Sequence, residues 1–114
     1  MSTRQDLADA LGGVPGVTGL TLPPDVIQPG MAWPVWRSST PITGTDYEVT
    51  YDVFLTLPAG SPGASIAEAD DSWQPVAFAL LHVGAVSLIE PVTMATDPAG
   101  AGLPAIRFTL TTLT

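Results

Sequence analysis

His82 is the only histidine in this 114-residue chain, and eleven carboxylates are the other obvious acid–base groups. A hydrolytic triad or a histidine-bearing metal site needs that imidazole to converge with a serine or with carboxylates. His82 instead falls at the end of a helical pattern, where a cation meets the C-terminal dipole favourably. The densest acids are Glu68, Asp70 and Asp71, a set that suits a divalent cation or paired-carboxylate chemistry. Adjacent residues on a helix point about 100° apart, so Asp70 and Asp71 read as a solvated face. Gly100–Gly102 has no following helix and no lysine, and Gly60–Gly63 precedes a helix without an assisting cation, so neither is a phosphate loop. No catalytic, cofactor-binding or metal-ligating residue is expected.

The constellation that stands out is Trp33, Trp36 and Arg37. Tryptophan and arginine are enriched among the buried anchors of protein–protein interfaces. Residues three apart on an extended strand face opposite sides, so one tryptophan is expected in the core and the other at a partner. Arg107 stands alone on the polar side of the last strand. It is expected to pair with Glu48 or Asp52 across strands, or to reach a neighbouring subunit.

Composition sets limits around these residues. Three Lys+Arg, all arginine (Arg4, Arg37, Arg107), stand against 11 Asp+Glu, for a net charge of −8. Such a chain lacks the cationic surface that displaces counterions from nucleic acid, and it lacks a polybasic membrane anchor. Without cysteine there are no disulfides, thiolate metal sites or thiol nucleophiles. No apolar run approaches the ~20 residues that span a bilayer. The mixed, acid-bearing start does not read as a secretory leader, so an intracellular product is expected. Charged residues make up 12%, about half the roughly 25% usual in soluble domains. A small domain has much surface for its volume, and here that surface is weakly solvated, as if to be covered by partners.

The positioning elements follow from periodicity and punctuation. Ser2 or Thr3 caps a short helix carrying Leu7, Ala10, Leu11 and Val14, stopped by Gly12-Gly13 and turned by Pro15-Gly16. Val17–Leu22 reads as a short strand, and Pro29-Gly30 as a turn. Met31–Arg37 is an edge strand or extended segment, because Pro34 cannot donate to a ladder. Ser38–Thr45 reads as a loop. Tyr47–Leu57 alternates strictly and predicts a central antiparallel strand with one apolar face. Ser65 to Glu68 forms a capping box before a helical stripe of Ile66, Ala69, Trp73, Val76, Ala77 and Leu80. Pro75 interrupts that stripe, and one kinked helix ending at Gly84 is the preferred reading. Ala85–Met94 and Leu103–Leu113 are strands, with Thr96–Gly102 a loop between them. The order α-β-β-β-α-β-β predicts a single α+β domain: a mostly antiparallel β-sheet with two helices packed on one face.

The whole chain resembles the tail terminator proteins of long-tailed phages of actinobacteria. The resemblance is carried by the opening Met1–Leu11, by Gly16-Val17-Thr18-Gly19 leading to Pro24-Asp25, and by Pro29–Arg37. It continues through the Tyr47–Leu57 strand ending in Leu-Pro, the acid-bearing helix with Trp73 and Leu80-Leu81, and Leu88–Val92. Pro75 departs from the family's uninterrupted helix. The resemblance implies a virion protein with no reaction and no cofactor, assembled in the host cytoplasm. Such proteins form a ring, commonly a hexamer, at the head-proximal end of the tail. The ring stops polymerisation of the tail tube protein and joins the tail to the head-tail connector, or neck protein. DNA passes through without specific binding, and no membrane is involved. The loops Ser38–Thr45 and Thr96–Gly102, with Pro98 and Gly100, are expected to dock on tube or connector. Competing expectations are a head-completion or neck protein, and a small binding module using the Trp33/Trp36 surface.

Overall fold

Strict alternation from Tyr47 makes a strand that must lie between two others, and it does. The computed structural model describes residues 3–57, 62–95 and 102–113. Its elements are α1 (Thr3–Gly12), β1 (Thr18–Gly19), β2 (Met31–Pro41), β3 (Tyr47–Thr56), α2 (Pro62–Leu80), β4 (Ala85–Ala95) and β5 (Gly102–Leu113). The five strands form one sheet in the order β1-β2-β3-β5-β4. Every pairing is antiparallel except β1 with β2, which is parallel. This is the α+β architecture that the alternation and the element order predict.

Pleating sorts the strand residues onto two faces. One cross-sheet row is Pro34, Val53, Phe108 and Ile89; the next, on the opposite face, is Trp33, Phe54, Arg107 and Glu90. Both helices pack on the first face. Leu7 and Leu11 of α1 and Val76 and Leu80 of α2 join Val53, Leu55, Phe108 and Leu110 in one buried cluster. Removing these aliphatic and aromatic surfaces from water is the main stabilising term of the fold. Helix α1 approaches the sheet so closely that a Cβ on Gly19 would run into the Ala8 carbonyl oxygen and the Gly12 amide nitrogen.

The expected turns form where proline precedes glycine. Gly16 and Gly30 take φ of 80° and 83°, and the Val17 amide closes the first turn on the Val14 carbonyl at 3.1 Å.

Four boundaries differ from the sequence reading by more than one residue. The expected strand at Val17–Leu22 is only Thr18–Gly19. Residues 38–41 are not loop: they pair with β3 as Ser38↔Thr50, Ser39↔Val49, Thr40↔Glu48 and Pro41↔Tyr47. Serine is a weak strand former, but pairing with a strong neighbouring strand overrides local preference. The true turn is residues 42–46, tied by Ile42 N–H to the Asp46 carbonyl at 2.9 Å. Helix α2 begins at Pro62, ahead of the Ser65 expected to cap it, because a proline's fixed φ suits the first helical turn. It ends at Leu80, before Gly84, whose amide closes back on the Leu80 carbonyl at 3.1 Å. The helix runs through Pro75 as one element. Pro75 and Asp71 are both exposed, so water can reach the carbonyl that proline leaves without its helical donor.

Candidate functional site

Trp33 and Trp36 face opposite sides of β2, as their spacing requires. Trp33 is 2% exposed and stacks at a tilt on Phe54, with ring centroids 6.5 Å apart. At the same end of that face, Thr56 donates its hydroxyl to the Gln28 carbonyl at 2.6 Å, tying the segment before β2 against the sheet. Trp36 is 57% exposed, and its indole N–H donates only to the Ser39 hydroxyl at 2.9 Å, itself exposed. One tryptophan is therefore core and the other is open to a partner.

From Val35 to Glu48 every residue is exposed. This half of the β2–β3 hairpin is an arm that neither helix covers. It carries Val35, Trp36, Ile42 and Tyr47 as exposed apolar side chains. Among the described residues no strand lies beside the outer edge of β2 beyond Ala32, because β1 pairs only with Met31 and Ala32. Pro34 falls just past that pairing, where its missing N–H costs no ladder bond.

All three cations meet acceptors within the chain. Arg4 donates to the carbonyls of Thr21 and Pro34 at 2.7 and 2.8 Å, clasping α1 to β2. Arg37 lies in the register shift between Trp36 and Ser38 and meets Asp52 at 3.5 Å, with its side chain 52% exposed. Arg107 does not pair with Glu48 or Asp52. Its ion pair is with Glu90, directly opposite on β4. The expected partners on β3 fail for a geometric reason. Arg107 stands opposite Phe54 on that side, while Asp52 is two rows away, opposite Thr109, and accepts from Thr109 Oγ1 at 2.8 Å. The Arg107 Nε is buried without an acceptor among the described residues, which offsets part of what the pair contributes.

His82 lies just beyond α2. Its Nδ1 donates to the Phe78 carbonyl at 3.1 Å, and its ring meets Phe78 edge-on at 5.3 Å. The acids of α2 diverge. Glu68 accepts from Ser72 at 2.9 Å and faces, with Asp71, the depression floored by Leu55 and Thr56. Asp70 looks the other way, toward β4. Among the described residues no three histidine or carboxylate side chains gather as metal ligands, and no helix is long and apolar enough to cross a membrane. Pro98 and Gly100 lie outside the described residues.

The sequence reading missed the outer face of α2. Ile66 and Trp73, placed on the buried stripe, are exposed, and so are Phe78 and Leu81. The signal was present: Phe78 and Leu81 fall outside the stripe, so the helix is apolar on more than one side. Between α2 and β4, residues Ala69, Trp73, Ile89, Pro91 and Ile106 line a groove with Asp70 beside it, while the Glu90 carboxylate turns to the opposite face and Arg107. This groove and the hairpin arm are the two candidate interaction surfaces, at opposite ends of the sheet.

No protein-family model matches the chain, and no curated protein matches it.

Proposed function

We propose that this chain is a phage tail terminator. It is a structural subunit of a ring, commonly hexameric, that caps the head-proximal end of the tail tube, stops tube polymerisation and joins the tail to the head connector. It carries out no reaction and uses no cofactor. The resemblance described above supplies the assignment. The observation that carries the ring reading is apolar surface left uncovered at two separate places, the arm with Trp36, Ile42 and Tyr47 and the side of α2 toward β4 with Ile66 and Trp73. Soluble monomers rarely leave large contiguous apolar patches uncovered, and two distinct sticky surfaces favour head-to-tail assembly, which closes into rings. The charge pattern supports DNA passage without retention. Arg4 and Arg107 are taken by acceptors in the chain, and most acids stay exposed, so phosphates meet a net repulsive field.

The test is electron microscopy of particles assembled without the protein. Tails of uncontrolled length with unjoined heads are the expected result. Finished tails of normal length beside free heads would reassign the chain to head completion.

A further inference from the structure

Burial divides helix α2 into two parts. From Gly63 to Pro75 no described side chain is buried; Ala69 and Ser72 are half-buried and the others are exposed. Directly after Pro75 the helix enters the core. Val76 and Leu80 are fully buried, and Ala77 and Ala79 pack beside them. Just past the helix, Gly84 sits so close to β5 that a Cβ there would meet the Thr111 carbonyl oxygen. Pro75 falls at the boundary. It has no N–H for the Asp71 carbonyl, and its ring crowds that turn, so this is where the helix bends most easily.

Open space flanks the half before Pro75. On the side of α1 is the depression floored by Leu55, about 490 Å³ in volume. On the side of β4 are the groove with Trp73 and Ile89, about 300 Å³, and a second of about 340 Å³ between Ile66 and residues Pro91 and Thr93. The two sides differ in chemistry. Toward α1 the helix shows Glu68 and Asp71, whose charges would lose hydration if pressed onto Val14, Val17 and Leu55. Toward β4 it shows Ile66 and Trp73, 63% and 38% exposed, with exposed Asp70 the one carboxylate on that side of the helix. A closer seat of Ile66 and Trp73 on Ile89 and Pro91 removes apolar surface from water. We propose that Pro75 is a hinge: the half of α2 before it swings toward β4 and closes both grooves with Ile66 and Trp73, while the turn Val76–Leu80 stays fixed. Ile66 lies nine residues before Pro75, about 13 Å along the axis. A change of about 20° in the kink therefore carries it about 4–5 Å, roughly the width of a side chain. The structure holds the open position. The hinge stands on α2 and the sheet alone, independently of the ring reading; a neighbour that covers Ile66 and Trp73 competes with closure.

The chain has no cysteine, so an engineered pair reports the movement without interference. Residues 66 and 93 line one groove from helix and strand, and the swing brings them together in Ile66→Cys/Thr93→Cys. Dilute full-length chain is oxidised, the intramolecular disulfide is followed by mass and thiol alkylation, and circular dichroism shows that each variant is folded. The pair is expected to close. Adding Pro75→Ala, which restores the bond to Asp71 and suits a helix better, is expected to slow closure about tenfold or more. Pro75 is exposed, so this change opens no cavity. Relaxation dispersion on the chain without cysteines gives a second reading. Exchange on the μs–ms timescale is expected at residues 66–74 and not at 76–80, and Pro75→Ala is expected to quench it. A pair that does not close, a rate indifferent to Pro75→Ala, or exchange spread evenly over both parts of α2 overturns the hinge. Each of these results leaves the ring reading standing, since that reading is judged by tail length.

Discussion

Two halves of one hairpin, sharing the same two strands, are built for different surroundings. In the inner half, Trp33, Pro34, Val53 and Leu55 are buried, with helices on one face and the Gln28 segment tied against the other. In the outer half, residues 35–48 are exposed throughout, although they keep the same ladder. The ladder through β3 to β5 holds this half in place, but backbone pairing does not explain why Trp36, Ile42 and Tyr47 stand in water. The inner half is selected for folding. The outer half costs solubility unless something covers it.

The contrast breaks first at Trp33. Trp33→Ala removes a side chain that is 2% exposed and stacks on Phe54. It is expected to destabilise the chain by about 3–5 kcal/mol, a large share of the roughly 5–15 kcal/mol that holds a domain folded. Chemical denaturation measures it, and a loss below that of an exposed substitution would show that this face is not core. Gly19→Ala comes next. The added Cβ meets backbone of α1 and not a side chain that can swing aside, so helix and strand must separate at an expected cost of about 1–3 kcal/mol. An unchanged melting temperature would mean that α1 does not hold its close seat on the sheet.

Arg107→Ala is expected to be milder, about 1 kcal/mol. Arg107 and Glu90 are each about one third exposed, at 32% and 33%, so Glu90 left alone is partly hydrated, and the orphaned Nε disappears with the side chain. Glu48→Ala and Asp52→Ala, at the partners the sequence suggested, separate the alternatives. In a double-mutant cycle Arg107 is expected to couple to Glu90 and not to Glu48.

What the sequence disclosed depended on whether the determinant was local. The alternation from Tyr47, the proline–glycine turns and the helical stripe through Val76 and Leu80 are written in nearest neighbours, so the fold class and the opposite facing of Trp33 and Trp36 were legible. Strand 38–41 was not, because serine, threonine and proline are held there by β3 and not by their own preference. The partner of Arg107 depends on the register of β4 against β5, which shifts between Val86 and Leu88; no short-range pattern encodes that shift. Which tryptophan is buried was hidden for a similar reason. Spacing fixes the face of a side chain, but whether that face is covered depends on residues distant in sequence, such as Phe54 against the Trp33 ring. Of the candidate site, the arm was found as an aromatic cluster. The groove was overlooked because Ile66 and Trp73 fit the period of a buried stripe.

Trp36→Ala sharpens the comparison by its small effect on folding. The indole gives up one exposed hydrogen bond to Ser39 and contacts made in water, while the buried row through Val53 and Phe108 is untouched. Dilute chain is therefore expected to unfold within about 0.5 kcal/mol of the parent, as exposed substitutions usually do. The same change at Trp33, three positions earlier on the same strand, is expected to cost several times more. A loss at Trp36 comparable to that at Trp33 would place the arm within the folding core. Its exposed apolar residues would then need no partner, and the strongest physical argument for a ring subunit would go with them.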